Sequence, residues 1–165
     1  MNVVLPDPAT APELFENVLP RRVAAYFIDV AIMGAMVLAI AIVGLIAGFL
    51  TIGLAWVALP IVIPLAILAY YAATLGSPRR ATIGMTAMDL VLTPTRGRPL
   101  DGWQILIHPI VFWITVWLAW PFSLLFALFT PRQQMVHDLI AGTLMLRRSP
   151  MERHWRSHGV AGEQA

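Results

Sequence analysis

A run of apolar residues from 23 to 50 constrains the fold more than any other feature of this chain. Asp29 is the only charged residue within it. A helix needs about 20 apolar residues to cross a bilayer, so the run predicts one membrane-spanning helix that is tilted or has a ragged end. An acidic side chain inside such a helix costs at least a few kcal/mol, so Asp29 should have a polar partner or a functional role.

Two further apolar stretches follow. Residues 54–75 come after a short uncharged turn, and residues 105–129 form a third segment that Pro109 and Pro121 interrupt. The chain is 59% hydrophobic and only 12% charged, which places it in the membrane class. The predicted fold is therefore an all-α integral membrane protein. It has a transmembrane helical hairpin, a third proline-interrupted segment, and a small cytoplasmic loop or β-hairpin.

The third segment has two interpretations. One kinked helix over residues 105–129 would cross the membrane once and leave the C-terminal arginines outside, against the positive-inside rule. A helical hairpin broken near Pro121 would enter and leave on the cytoplasmic side, although it is too short for two full spans and would need protein around its break. The arginine distribution favours the second interpretation, with both termini inside.

All eleven basic residues are arginine, and they cluster beside the apolar segments. Such clusters are typical of membrane topology signals, and they do not indicate nucleic-acid binding. Arginine pairs stand at both open ends of the first hairpin, which predicts a cytoplasmic N-terminus. The expected partners are the lipid bilayer and a second copy of this chain or another membrane protein.

The polar segments carry weaker signals. Residues 1–20 predict a tail and a short amphipathic helix on the membrane surface, with Thr10 as its N-cap and Pro20 as its end. A membrane domain then covers residues 21–148, followed by a polar, disordered tail over residues 149–165. Within the domain we expect a possible strand at 85–93, a turn at 95–98, an N-cap at Asp101, and a helix from Thr130 to Ala141 that stops at Gly142. A short strand at 143–146 could pair with residues 89–92.

Arg22 and Asp29 are the first candidate site residues. They are two helical turns apart and share one side of the helix, with about 10 Å between them along the axis. Direct contact is doubtful, so water, an ion or another residue should lie between them. Arg22 could instead be an interfacial anchor, and Asp29 could be a structural carboxyl that caps a neighbouring helix.

No pattern for enzyme chemistry is visible. The chain lacks cysteine, and it contains no phosphate-binding loop, nucleophile elbow or paired-carboxylate site. The histidines have no metal-binding spacing, and the pair His154 and His158 falls in the expected tail. We therefore expect no enzyme activity, no cofactor and no metal.

Three motifs resemble the RDD family of bacterial membrane proteins, named for one arginine and two aspartates. The stretch from Arg22 to Asp29 is similar to the family's first motif, the loop at residues 81–84 to its T-x-G element, and residues 137–143 to its H-D-x-x-A-G-T motif. Met85 replaces a common lysine, and His108 stands near a common arginine. The resemblance implies a multi-pass protein of the bacterial inner membrane. It also implies a candidate ion- or ligand-binding set of Arg22, Asp29 and Asp138, supported by His137, Thr143, Thr82 and Gly84.

Two functions remain open at this point. The resemblance suggests transport of a small cation or proton, in which Asp29 binds the cargo while Arg22 and Asp138 set its charge state. The alternative is a non-transporting assembly or regulatory module in which the same residues hold the helices together. In either case Asp138 is expected to be the missing partner of the opening stretch.

Overall fold

The computed structural model describes residues 6–95 and 101–157 and is mostly helical. A single 3-10 turn, Pro12–Leu14, precedes the first long helix. The elements, in chain order, are α1 Val18–Leu50, α2 Leu54–Leu75, α3 Ile83–Ala87, β1 Leu90–Pro94, α4 Gly102–Phe129, α5 Val136–Ala141, β2 Thr143–Arg147 and α6 Arg148–Ser157.

Helices α1 and α2 pack against each other as a hairpin. The range of α2 agrees with the sequence-based prediction, whereas α1 begins at Val18 and continues through Pro20. The first four N–H groups of a helix have no partner within it, so a proline in the first turn removes no hydrogen bond. The expectation that Pro20 ends one helix and starts a turn is therefore wrong.

The far half of the hairpin exposes large apolar side chains. Phe49 is 71% exposed, Leu50 81% and Ile52 98%. Among the described residues, α1 and α2 are the helices long and apolar enough to cross a membrane, and few of their apolar residues are buried inside the protein. A continuous apolar surface of this kind is stable against lipid and unfavourable in water.

Two glycines of α1 allow α2 to approach closely. The side chain of Leu59 lies over Gly44, and the indole of Trp56 lies over Gly48, where any added Cβ would collide with the ring. The same indole donates a hydrogen bond from Nε1 to the carbonyl oxygen of Leu45, at 3.3 Å. Gly44 and Gly48 therefore serve the packing of this hairpin.

This packing predicts opposite effects for two glycine-to-alanine substitutions in one helix. Gly34→Ala meets open space and should raise the free energy of unfolding by about 0.5–1 kcal/mol through helix propensity alone. Gly48→Ala should lower it, because Trp56 must move from its place between the helices. Thermal unfolding of both variants in the same detergent tests the pair, and equal shifts in one direction would contradict the packing.

A two-stranded antiparallel sheet lies at the Arg22 end of α1. Leu90 pairs with Arg147 and Leu92 with Met145, which agrees with the pairing that the sequence suggested. The possible strand at 85–93 is only partly correct, because residues 83–87 form α3. Thr82 caps that helix by accepting a hydrogen bond from the backbone N–H of Met85. Most of the expected turn at 95–98 lies outside the described residues.

Both faces of the sheet are buried, against different parts of the chain. On one face, Leu90, Leu92 and Met145 pack with α1, α2 and α3. On the other, the sheet is covered by residues from the N-terminal segment and α6, in a cluster formed by Ala11, Leu14, Phe15, Val91, Leu144, Leu146 and Met151.

This second cluster overturns two expectations about the chain ends. Residues 10–17 form one 3-10 turn and no amphipathic helix, and Ala11, Leu14 and Phe15 cover protein instead of a membrane surface. Residues 148–157 are helical, so the prediction of disorder is wrong for them, and the rest of the predicted tail lies outside the described residues. Asp89 stabilises the first turn of α6, because its carboxylate accepts hydrogen bonds from the N–H and the hydroxyl of Ser149.

Helix α4 begins as predicted but bends sharply. Asp101 and Gln104 form the capping box at its start. In a straight helix, His108 and Thr130 would be about 33 Å apart. Hydrogen bonds join His108 to Thr143, Thr143 to Gln134, and Gln134 to Thr130. The lengths of these bonds and side chains add up to at most about 26 Å between the Cα atoms of His108 and Thr130, so α4 must bend. Prolines are the usual cause of such a bend.

Both ends of α4 consequently lie near the Arg22 end of α1. The segment is helical from Gly102 to Phe129 without the break that one interpretation required, yet the chain returns toward the side from which α4 started. The helix expected from Thr130 begins only at Val136, since Thr130 caps the end of α4. Gly142 ends α5 in the left-handed conformation, as predicted.

Candidate functional site

The first part of the site is a buried ion pair between Arg22 of α1 and Asp138 of α5. Nη2 of Arg22 lies 2.6 Å from Oδ2 of Asp138, and neither side chain is more than 5% exposed. The guanidinium also donates to the carbonyl oxygen of Gln133 and approaches Nε2 of His137, each at 3.3 Å. The structure thus brings the two ends of the family motif together.

Asp29 belongs to a separate set of contacts. Its Oδ1 accepts hydrogen bonds from the hydroxyl of Tyr70 at 2.6 Å and from the N–H of Gly84 at 2.8 Å. Its Oδ2 accepts one from the hydroxyl of Thr82 at 2.5 Å. The carboxylate therefore ties α1 to α2 and to the start of α3, and the described residues show no ion pair between it and Arg22.

Gly84 is required by this arrangement. A Cβ at this position would collide with the carbonyl oxygen of Ala25 and with the carboxyl group of Asp29. Only glycine lets the N–H of α3 reach the carboxylate at this distance. The T-x-G element thus binds one acidic side chain, because the Thr82 hydroxyl and the Gly84 N–H both donate to Asp29.

Two histidines surround the second oxygen of Asp138. Nε2 of His137 lies 3.3 Å from Oδ1, and Nδ1 of His108 lies 3.9 Å from it. The guanidinium of Arg22 can only donate, so Nε2 of His137 must be an acceptor and the proton must be on Nδ1. Oδ1 consequently receives no hydrogen bond from any described residue.

The charge states of α5 follow from burial and from Arg22. Burial lowers the pKa of His137 to about 3, because the nearby carboxylate of Asp138 only partly offsets the loss of solvent. Burial alone would raise the pKa of Asp138, but the guanidinium of Arg22 outweighs it and holds the pKa below its usual value. At neutral pH the imidazole of His137 is therefore neutral and lies beside the ion pair of Arg22 and Asp138.

Thr143 completes this cluster from β2. Its hydroxyl lies 3.1 Å from Nδ1 of His108 and 3.5 Å from the carbonyl oxygen of Asp138. Its own carbonyl accepts a hydrogen bond from the side chain of Gln134. The sheet is therefore joined to α4 and α5 through one threonine.

Sequence reasoning missed His108 and Tyr70 as members of the site. His137 and Asp138 are adjacent, but His108 comes from another helix, so no ligand spacing could indicate the cluster. Tyr70 lies within the second apolar stretch, and its hydroxyl donates a hydrogen bond to Asp29.

A cavity of about 410 Å³ connects the two sets of contacts. Arg22, Asp29, Thr82, His108 and His137 contribute to its wall at a few points, and the remaining wall is mainly apolar. Val23 and Phe27 border it and are exposed, which places an opening on the outer surface of α1. The other wall residues are Ala25, Tyr26, Tyr71, Leu75, Met85, Pro109, Phe112, Val116, Met135 and Met145.

Two exposed helices of the described chain, α1 and α2, are long and apolar enough to cross a membrane. The RDD family model matches residues 18–142, and the chain belongs to this family. The match contains Arg22, Asp29 and Asp138. Neither a curated protein nor a solved structure matches the chain.

Proposed function

We propose that this chain is an inner-membrane protein that binds a small amphipathic molecule in the cavity beside Arg22. In this proposal its arginine and aspartates are the structural frame of the site. The cavity carries the proposal, because its wall is mainly apolar and its volume is in the range of small-molecule sites. A single-chain amphiphile with a compact polar head is the ligand class that best fits such a wall.

The charged groups support a structural role more than an ion-binding one. Both oxygens of Asp29 accept hydrogen bonds from protein donors, and Oδ2 of Asp138 is paired with Arg22. A cation at Asp29 would have to displace hydroxyl and N–H donors that point toward it. An apolar ligand in the cavity can bind without breaking the hydrogen bonds of Asp29 or the ion pair of Asp138.

The direction of access follows from the opening. Val23 and Phe27 lie on the exposed side of α1 and border the cavity, and Phe112 and Val116 of α4 also line it. A ligand that partitions into lipid could therefore enter sideways, near the end of the hairpin that carries the sheet. Arginines concentrate at this end, which supports a cytoplasmic position for it and for the N-terminus.

Photolabelling tests the cavity directly. A fatty acid bearing a diazirine should label cavity-wall residues of the purified protein in detergent, with the sites read by mass spectrometry. Val116→Phe fills the cavity and should reduce this labelling several-fold, whereas Ile114→Phe, on the exposed side of the same helix, should not. Labelling confined to the exposed far end of the hairpin, or equal in both variants, would contradict the proposal.

Cation or proton transport is the second candidate. It is favoured by one observation, the two acceptor atoms Oδ1 of Asp138 and Nε2 of His137 that face each other at 3.3 Å without a proton between them. Protein reconstituted in vesicles with a pH-sensitive dye should then show sodium-dependent proton flux. Asp138→Asn should abolish that flux, and flux no greater than in empty vesicles would exclude this candidate.

A further inference from the structure

One buried carboxylate oxygen next to His137 has no hydrogen-bond donor among the described residues. Oδ1 of Asp138 is fully buried and receives no hydrogen bond from the described residues, and Nε2 of His137 lies 3.3 Å from it. Arg22 reaches Nε2 at 3.3 Å but is paired with the other oxygen of the carboxylate. An acceptor left without a donor in the protein interior is unfavourable, so the vacant side of Oδ1 requires an explanation.

A third donor atom comes from α4. Nδ1 of His108 lies 3.9 Å from Oδ1, and the donor atoms of His108, His137 and Asp138 are all within 4.8 Å of one another. Ligand atoms around a tetrahedral zinc ion are about 3.3 Å apart, so small side-chain movements would bring the three to that spacing. All three side chains are buried, so bulk water has little access to the ligand atoms.

We propose that His108, His137 and Asp138 bind one divalent transition-metal ion of the zinc type. The two imidazole nitrogens favour zinc and its neighbours, because calcium and magnesium are bound by oxygen ligands, and the carboxylate is compatible with zinc as well. This site goes beyond the proposed amphiphile-binding function and does not depend on it.

Arg22 determines how the ion can be accommodated. The guanidinium keeps its 2.6 Å contact with Oδ2 and gives up its weaker contact with His137 Nε2. Oδ1 then bridges toward the metal, while the arginine holds the carboxylate from behind, as outer partners of metal ligands commonly do. Asp29 lines the same cavity and contributes negative charge.

The fourth coordination position of the ion would point toward the cavity. His108 and His137 both line the cavity, so an ion held between them would have one side toward it. Three protein ligands with an open position are typical of sites where the metal also binds an exogenous molecule. A water molecule or the polar head of a cavity ligand would complete the coordination.

The test uses the full chain with the tail histidines replaced, His154→Ala and His158→Ala, because that pair could bind metal by itself. After chelation and addition of Zn²⁺, this protein should retain one zinc ion per chain and unfold at a higher temperature. Cobalt substitution should produce the visible absorption bands of tetrahedral Co²⁺. His108→Gln in the same background should lose both the zinc and the bands.

Two results would overturn the site. One is zinc content equal to background in the tail-substituted protein, and the other is unchanged zinc binding after His108→Gln. If His108→Gln fails to fold, X-ray absorption of the zinc-loaded tail-substituted protein decides. Two imidazole nitrogens and oxygen at about 2.0–2.1 Å are expected, and a first shell without imidazole would reject the assignment.

Discussion

Arg22→Met should be among the most destabilising single substitutions in this chain, at about 3–5 kcal/mol. It leaves the carboxylate of Asp138 buried without its counter-ion, and breaking a buried pair costs far more than the pair itself contributes. In a domain of this size the midpoint of thermal unfolding should fall by roughly 10 °C or more. Tryptophan fluorescence of the detergent-solubilised protein during heating measures it.

The double variant Arg22→Met with Asp138→Leu provides the critical comparison. It removes both charges, so it should be clearly more stable than the sum of the two single effects predicts. Arg21→Met is the matched control, because the neighbouring arginine makes one hydrogen bond, to the carbonyl oxygen of Met88, at 2.9 Å. Strictly additive effects, or equal losses at Arg21 and Arg22, would show that the ion pair has no special role.

Asp29→Ala should have the second large effect, a loss of about 3 kcal/mol. It removes the acceptor of three donors at once, the hydroxyls of Tyr70 and Thr82 and the N–H of Gly84. Each buried donor left without a partner costs about 1–3 kcal/mol, and Tyr70 can recover part of this through water. Chemical or thermal unfolding of the variant and the wild type in the same detergent measures this loss in the free energy of unfolding.

Tyr70→Phe calibrates this result. It deletes one donor and leaves the carboxylate with the other two, so a loss near 1 kcal/mol is expected. Asp29→Asn should lie between alanine and the wild type, since its amide supplies one acceptor but points hydrogens at a donor. An Asn variant as stable as the wild type would count against the structural role of Asp29 and would favour a role in binding cations or protons.

The predictions from sequence succeeded where a local pattern is compatible with only one type of structure. The run ending at Leu75 contains no charge, begins after a turn and is long enough for a bilayer, so α2 was bounded correctly. The strand pairing was also foreseeable, because residues 143–146 are short, apolar and bounded by a helix-ending glycine. The resemblance to the RDD family implied that Asp138 belongs with Arg22.

The failures share a cause. Leu14 and Phe15 have the pattern of a membrane-surface helix, but apolar side chains satisfy either a lipid surface or the open face of a sheet. Which surface is nearest depends on the sheet, and the sheet depends on two strands about fifty residues apart. The same holds for α6, whose Met151 is buried only because that face exists.

The sequence by itself determined the membrane class, the first hairpin and the membership of Arg22, Asp29 and Asp138 in one family motif. Only the tertiary structure decided that these residues form two separate sets, because a helix carries Arg22 and Asp29 about 10 Å apart and each meets a different element. The bend of α4 brings His108 to Asp138 from another part of the chain. No spacing along the chain encodes that approach, since it arises from the packing of α4 on α5.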